Sequence, residues 1–137
     1  AYEAGLAIRE RLAALDPDNA GWQRDLSVSH EKIGNVRVAQ GQLVEALAAY
    51  EAGLAIRERL AALDPDHADW QRDLSVSLSK IGDVRVAQDQ LVEALGFFRN
   101  ALEIHHGLRR RDPTNAIWRA DVEWIEARIA EIEALQD

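Results

Sequence analysis

Residues 49–66 read Ala-Tyr-Glu-Ala-Gly-Leu-Ala-Ile-Arg-Glu-Arg-Leu-Ala-Ala-Leu-Asp-Pro-Asp, and residues 1–18 read the same. The identity runs on. Ala1 to Leu47 recurs as Ala49 to Leu95 with exchanges only at Asn19/His67, Gly21/Asp69, His30/Leu78, Glu31/Ser79, Asn35/Asp83 and Gly41/Asp89. A third, eroded copy follows, because Asp16-Pro17, Asp64-Pro65 and Asp112-Pro113 keep step with Trp22, Trp70 and Trp118. Self-similarity at a fixed period of 48 residues is the mark of a stacked array, whose units bury their apolar faces against one another.

Each period reads as two helices. Leu43, Leu47, Tyr50, Leu54, Ile56, Leu60 and Leu63 form a helical stripe, with Glu45, Glu51, Arg57 and Glu58 mostly outside it. Before it, Trp22, Leu26, Ile33 and Val36 recur at helical spacing, with Ser29 in an intermediate core position. The helices meet at Gly41-Gln42, or Asp89-Gln90 in the next copy, a link so short that they must run antiparallel. The Asp-Pro segments end the second helix, since the residue before proline is pushed out of helical geometry. Asp18, Asp66 or Thr114 is expected to cap the helix that follows. The pattern predicts helices over residues 2–15, 19–40, 43–63, 67–88, 91–111 and 115–136, the longer ones spanning roughly 30 Å.

Composition narrows the partners. With 24 acidic and 16 basic residues the net charge is -8, which disfavours phosphate backbones and anionic membranes. Neither nucleic acid nor a membrane is expected as partner, and no apolar run approaches a bilayer-spanning length. The run Arg109-Arg110-Arg111 precedes Asp112-Pro113, where cations complement the carbonyl end of a helix dipole. There is no cysteine, which fits a reducing compartment, and a cytoplasmic setting is expected. The chain has no methionine and opens at Ala1 in the repeat phase of Ala49, so it reads as a piece of a longer protein.

Ile33-Gly34-Asn35, Gln40-Gly41, Glu45-Ala46-Leu47, Tyr50, Leu54 and Asp64-Pro65 resemble the tetratricopeptide repeat (TPR). Ile81-Gly82-Asp83, Glu93-Ala94-Leu95, Phe98, Leu102 and Asp112-Pro113 repeat the resemblance. Seven residues more on each side of the Ile-Gly pair take the 34-residue family period to 48, and seven residues are close to two helical turns, so buried faces stay in phase. The stretch 54–60 is similar to the longer repeats of kinesin light chain, nephrocystin and bacterial signalling arrays. The resemblance implies an all-α, right-handed α-solenoid of six helices. Residues 1–17 would be the second helix of an incomplete repeat, 18–65 and 66–113 two repeats, and 114–137 a capping helix rich in Glu123, Glu126, Glu131 and Glu133. Arg37 and Arg85 stand where the family usually has Tyr, and Trp22, Trp70 and Trp118 are expected to anchor the packing instead.

An enzyme needs a unique constellation, whereas nearly every polar residue of the first copy recurs 48 residues later. His30, His67, His105 and His106 lack the i, i+4 spacing that aims two imidazoles at one metal. No catalytic residue, metal or cofactor is expected. The resemblance instead implies a non-catalytic scaffold that binds a peptide or protein in a groove lined by the first helices. Carried over residue by residue, the groove face is Val28, Glu31, Asn35 and Val38, then Val76, Ser79, Asp83 and Val86, with Arg24 and Arg72 added by the extended turn. Glu31/Ser79 and Asn35/Asp83 differ on this face, as recognition of an irregular peptide requires. The family's clamp for a terminal carboxylate falls on Glu31, Asn35, Lys80, Trp124 and Arg128, where Glu31 would repel the ligand, so that specialised function is not expected. Trp124 is expected to be buried near Ile125 and Ile129. The rival expectation is self-association or a spacer role, through near-identical repeats that stack end to end.

Overall fold

A computed structural model describes residues 2–136, and side chains over 4–136; the predicted phase match of Ala1 lies outside the described residues. The protein is all-α. Its helices are α1 (Tyr2–Leu15), α2 (Ala20–Ala39), α3 (Leu43–Leu63), α4 (Ala68–Ala87), α5 (Leu91–Arg111) and α6 (Ala116–Gln136), each within one residue of the predicted limits. The chain forms two compact units, Ala1–Asp66 and His67–Asp137. In the first, α2 packs against α3 and α1 against α2; in the second, α4 packs against α5 and α5 against α6.

The caps fall one residue later than expected. Asp16, Asp64 and Asp112 turn their carboxylates onto the amides of Asp18, Asp66 and Thr114 at 3.3, 3.2 and 3.1 Å. The helix-starting acceptors are therefore the next residues along. Asn19 Oδ1, His67 Nδ1 and Asn115 Oδ1 accept from the amides of Trp22, Trp70 and Trp118 at 3.0, 3.3 and 3.0 Å, the side-chain cap that a helix start requires.

Both helix-to-helix turns close in the same way. Gly41 N–H donates to Val38 O at 2.9 Å and Gln42 N–H to Arg37 O at 2.8 Å, and Asp89 and Gln90 repeat this on Val86 and Arg85. This is the Schellman pattern, whose C′ residue is left-handed: φ is 74° at Gly41 and 59° at Asp89. Arg37 Nη1 also donates to the side-chain oxygens of Gln40 and Gln42 at 3.3 and 2.9 Å, and Arg85 does the same to Gln88 and Gln90 at 3.2 and 2.6 Å. Arg37 and Arg85 thus brace the turn. Because a Cβ is disfavoured at this φ, Asp89→Gly should stabilise the protein by about 0.5 kcal/mol. A urea midpoint that falls on this substitution would contradict the strain.

The tryptophans are not the deep anchors expected. Trp22, Trp70 and Trp118 are each half-buried near a helix start, and Trp70 stacks on the capping His67 with centroids 4.0 Å apart. Among the described residues the buried Phe, Tyr and Trp rings are Tyr50, 4% exposed, and Phe98, fully enclosed. Each ring lies against a glycine of the facing helix. A Cβ on Gly82 would sit 2.7 Å from Phe98 Cε2, and one on Gly34 would overlap the Tyr50 ring. The second unit's core adds Ala94, Leu95 and Ala101 of α5 and Ile125, Ile129 and Ile132 of α6, with Leu78 and Val86 of α4 packed against it.

One helix sequence occurs in two settings, because residues 2–15 and 50–63 are identical. From α3, Arg57 Nε donates to Ser27 Oγ at 3.1 Å; from α1, the equivalent Arg9 Nη1 donates to Ser29 Oγ at 3.0 Å. Two residues apart is about half a turn on a helix, so α2 meets the two identical helices on opposite flanks. Ile56 is 5% exposed on α3, whereas its twin Ile8 is 53% exposed on α1.

Candidate functional site

In the first unit α2 carries Val28, Glu31, Asn35 and Val38 at spacings of three, four and three, which sets them on one face. Val38 is exposed, Val28 half-buried, and Arg24 lies exposed one turn earlier. The two polar members are engaged within the fold. Glu31 Oε1 accepts from Arg57 Nη1 at 2.7 Å, with the Arg57 side chain only 3% exposed. Asn35 Oδ1 accepts from the Tyr50 hydroxyl at 2.6 Å.

The corresponding face of α4 is also largely occupied. Asp83 Oδ1 accepts from Arg128 Nη2 at 2.8 Å, and Arg128 holds Glu131 at 2.8 Å as well. Arg72 forks onto Asp121, Nε to Oδ2 at 2.9 Å and Nη2 to Oδ1 at 3.4 Å. Val76, Ser79 and Val86 are half-buried.

The differences between the two faces now have a cause. Glu31 becomes Ser79 where Arg57 becomes His105, so the buried cation and its carboxylate are exchanged together. Asn35 becomes Asp83 where Tyr50 becomes Phe98; the phenol that needs an acceptor is gone, and Asp83 meets Arg128 instead. These exchanges compensate one another inside each unit.

Val76, Ser79 and Asp83 come together around a pocket of about 200 Å³ that also involves Ser75, Lys80, His105, Asp121, Trp124 and Ile125. The helices α4, α5 and α6 thus converge on it. Trp124 is not buried as expected. It is 50% exposed, its ring 6.2 Å from Phe98 and tilted by 59°. A larger cleft of about 610 Å³ in the first unit is lined by Pro17, Gln23, Ile56, Arg59 and Leu63 among others, and by none of the groove residues.

His105 is the unusual member. Ser75 Oγ donates to Arg72 O at 2.7 Å, and a hydroxyl has one proton. The 2.6 Å contact between Ser75 Oγ and His105 Nε2 must then be donated by the imidazole, which leaves Nδ1 as an acceptor. Among the described residues Nδ1 has no hydrogen-bond partner, and it lies 3.7 Å from Asp121 Oδ2. Serine, histidine and aspartate here do not make a nucleophile relay: Ser75 is 0% exposed and its proton is committed to a backbone carbonyl.

Burial pushes the His105 pKa below its ordinary value; Asp121 opposes this, while Arg72 and His106 assist it. Burial likewise lowers His30, against the pull of Glu10. A histidine held neutral in the fold takes its proton more readily when unfolded, so its contribution is complete above about pH 6.5 and is lost as pH falls below that. Stability should therefore decline between pH 7 and 5. His105→Gln, which cannot take a proton, should flatten that decline, and urea titrations at both pH values give the comparison.

Sequence reasoning set these residues on shared helix faces but missed Arg57, His105 and Tyr50 as side chains packed or bonded against them. The signal was in the repeat: comparing the copies beyond Leu47 shows Tyr50/Phe98 and Arg57/His105 changing alongside Asn35/Asp83 and Glu31/Ser79. No protein-family model matches the chain, and no curated protein matches it either.

Proposed function

We propose that the chain is a right-handed α-solenoid of extended tetratricopeptide-like repeats and works as a non-catalytic scaffold that binds a peptide along its first helices. The observation that supports this is the pocket between α4 and α6, where Val76, Ser79 and Asp83 lie beside the half-exposed Trp124. An aromatic ring beside a concave, partly apolar wall is the kind of feature that carries binding energy at interfaces. Because Glu31, Asn35, Asp83 and Arg72 have bonds within the fold, recognition rests on Trp124, Ser79 and the valines, with those four setting the shape of the wall.

Peptides selected from a random library against the whole chain test this reading. Trp124→Ala should weaken the best peptide by about 30-fold, the ratio of a hot spot worth about 2 kcal/mol, without changing helicity. Asn35→Ala should leave binding intact and cost about 1 kcal/mol of stability, the worth of the 2.6 Å hydrogen bond from the Tyr50 hydroxyl that it removes. Failure to select any peptide, or wild-type affinity in Trp124→Ala, would remove the reading.

Self-assembly is the second reading, favoured by Ile8. Ile8 is 53% exposed where its twin Ile56 on α3 is 5% exposed, and Leu15, two turns on, is exposed as well, which gives α1 an uncovered apolar face. A molar mass that climbs with concentration, and is held at the monomer by Ile8→Glu, would support it.

A further inference from the structure

In the first copy, the space between Ser27 and Glu31 is filled by the Arg57 guanidinium, which bonds both. In the second copy the equivalent residues are Ser75, Ser79 and His105, and all three border the 200 Å³ pocket. Shortening Arg57 to His105 and Glu31 to Ser79 removes one positive and one negative charge together, so the exchange leaves no charge for an incoming group to neutralise. A pocket of this size lies below the roughly 300–1,000 Å³ of sites for drug-sized ligands and suits one side-chain head group.

The walls specify the chemistry of that group. His105 is 3% exposed, and its Nδ1 is a buried acceptor with no partner, a state that costs free energy until a donor arrives. Asp121 Oδ2, 3.7 Å away, is a second acceptor, already bonded to Arg72. Lys80 borders the same space and can only donate. Around the pocket Lys80, Arg72 and Arg128 are balanced by Asp83, Asp121 and Glu131, with Arg128 shared between Asp83 and Glu131, so the site carries no net charge and favours a neutral head group over a cation. A carboxylate would suit Lys80 but offers no proton to His105. A primary carboxamide answers both, with its NH₂ to His105 Nδ1 and Asp121 and its carbonyl to Lys80 or Ser79.

We infer that the pocket bounded by Ser79, Lys80, His105 and Trp124 is a carboxamide subsite that takes an Asn or Gln side chain of the bound peptide. The peptide source rests on the scaffold reading; the carboxamide chemistry does not. Propionamide, propionate and propylammonium, titrated separately into the full chain, test the chemistry through the ¹⁵N resonances of His105 and the Trp124 indole. Propionamide should move the Nδ1 resonance saturably, and the other two should not at equal concentration. The double substitution Ser79→Glu/His105→Arg, which installs the residue pair that the first copy already folds around, should abolish the Trp124 response while retaining helicity. No response to propionamide, meaning a pocket that holds water only, would overturn the inference, as would an equal response to propionate or propylammonium, or a persistent Trp124 response in the double variant.

The peptide arm separates the two readings. Changing each Asn or Gln of a selected peptide to Glu should cost at least tenfold in affinity at one position. Selected peptides with no such position would overturn the inference and leave the scaffold reading standing, whereas a propionamide response without any selectable peptide would do the reverse.

Discussion

Glu31→Ser should destabilise the protein by about 3 kcal/mol, and adding Arg57→His should restore at least half of the loss. The Arg57 side chain is 3% exposed and its partner Glu31 is 24% exposed. Removing one member of a buried pair costs about 3–5 kcal/mol, because the remaining charge loses its short ion pair away from water; the partial exposure of Glu31 and the bond Arg57 keeps to Ser27 place the loss at the lower end. The second copy carries Ser79 and His105 in these positions, so the double variant recreates a combination that already packs. A cycle of the two single variants and the double, measured by urea unfolding, should give a coupling of about 1–3 kcal/mol. Additive losses would mean that the exchanges in the two copies arose independently.

Phe98→Ala should cost about 3–5 kcal/mol, the range for emptying a buried aromatic site. Phe98 is fully enclosed in the second unit's core, and Arg128 lies 5.5 Å above its ring. The ring also explains Gly82. In the wild type, Gly82→Ala drives a Cβ to within 2.7 Å of Phe98 Cε2, and overpacking of that kind costs about 1–3 kcal/mol. In the Phe98→Ala background the obstacle is gone, and the same change should stabilise by up to about 1 kcal/mol, the helix-propensity gain of alanine over glycine. A reversal of sign between the two backgrounds would establish the glycine–ring contact; destabilisation in both would point to a different need for Gly82.

The fold was largely legible because its punctuation is local. Asp-Pro and the Gly41 or Asp89 turn are each recognisable within a few residues, and the helix limits follow to within one position. The caps slipped because Asp18 adjoins Asn19, Asp66 adjoins His67 and Thr114 adjoins Asn115, and only the geometry shows the second of each pair serving the helix. Trp22, Trp70 and Trp118 were misjudged by size: a large ring signals burial, but Gly34 and Gly82 supply the enclosed seats, and those receive Tyr50 and Phe98. Helical spacing sets Glu31 and Asn35 on one face but carries no information about what crosses from another helix. Their partners lie 26 and 15 residues away, beyond the reach of a periodicity argument. Trp124 had no counterpart in the other copies, so the repeat offered no guide to its setting.

The identical sequences of α1 and residues 50–63 have a kinetic meaning. While the chain folds, α2 meets two helices with the same fourteen residues, tethered on either side by loops of a few residues, so neither proximity nor side-chain chemistry ranks one above the other. What separates them is the direction of approach: the left-handed turn at Gly41, with φ of 74°, folds α3 back onto the flank of α2 that carries Ser27. That turn acts as an address: it partitions early encounters between the productive pairing, in which Arg57 reaches Ser27, and a trap in which α1 takes that flank of α2. A β-branched residue at Gly41, which resists this φ, should therefore slow folding by lengthening the search among near-degenerate pairings, in addition to whatever it does to the final packing.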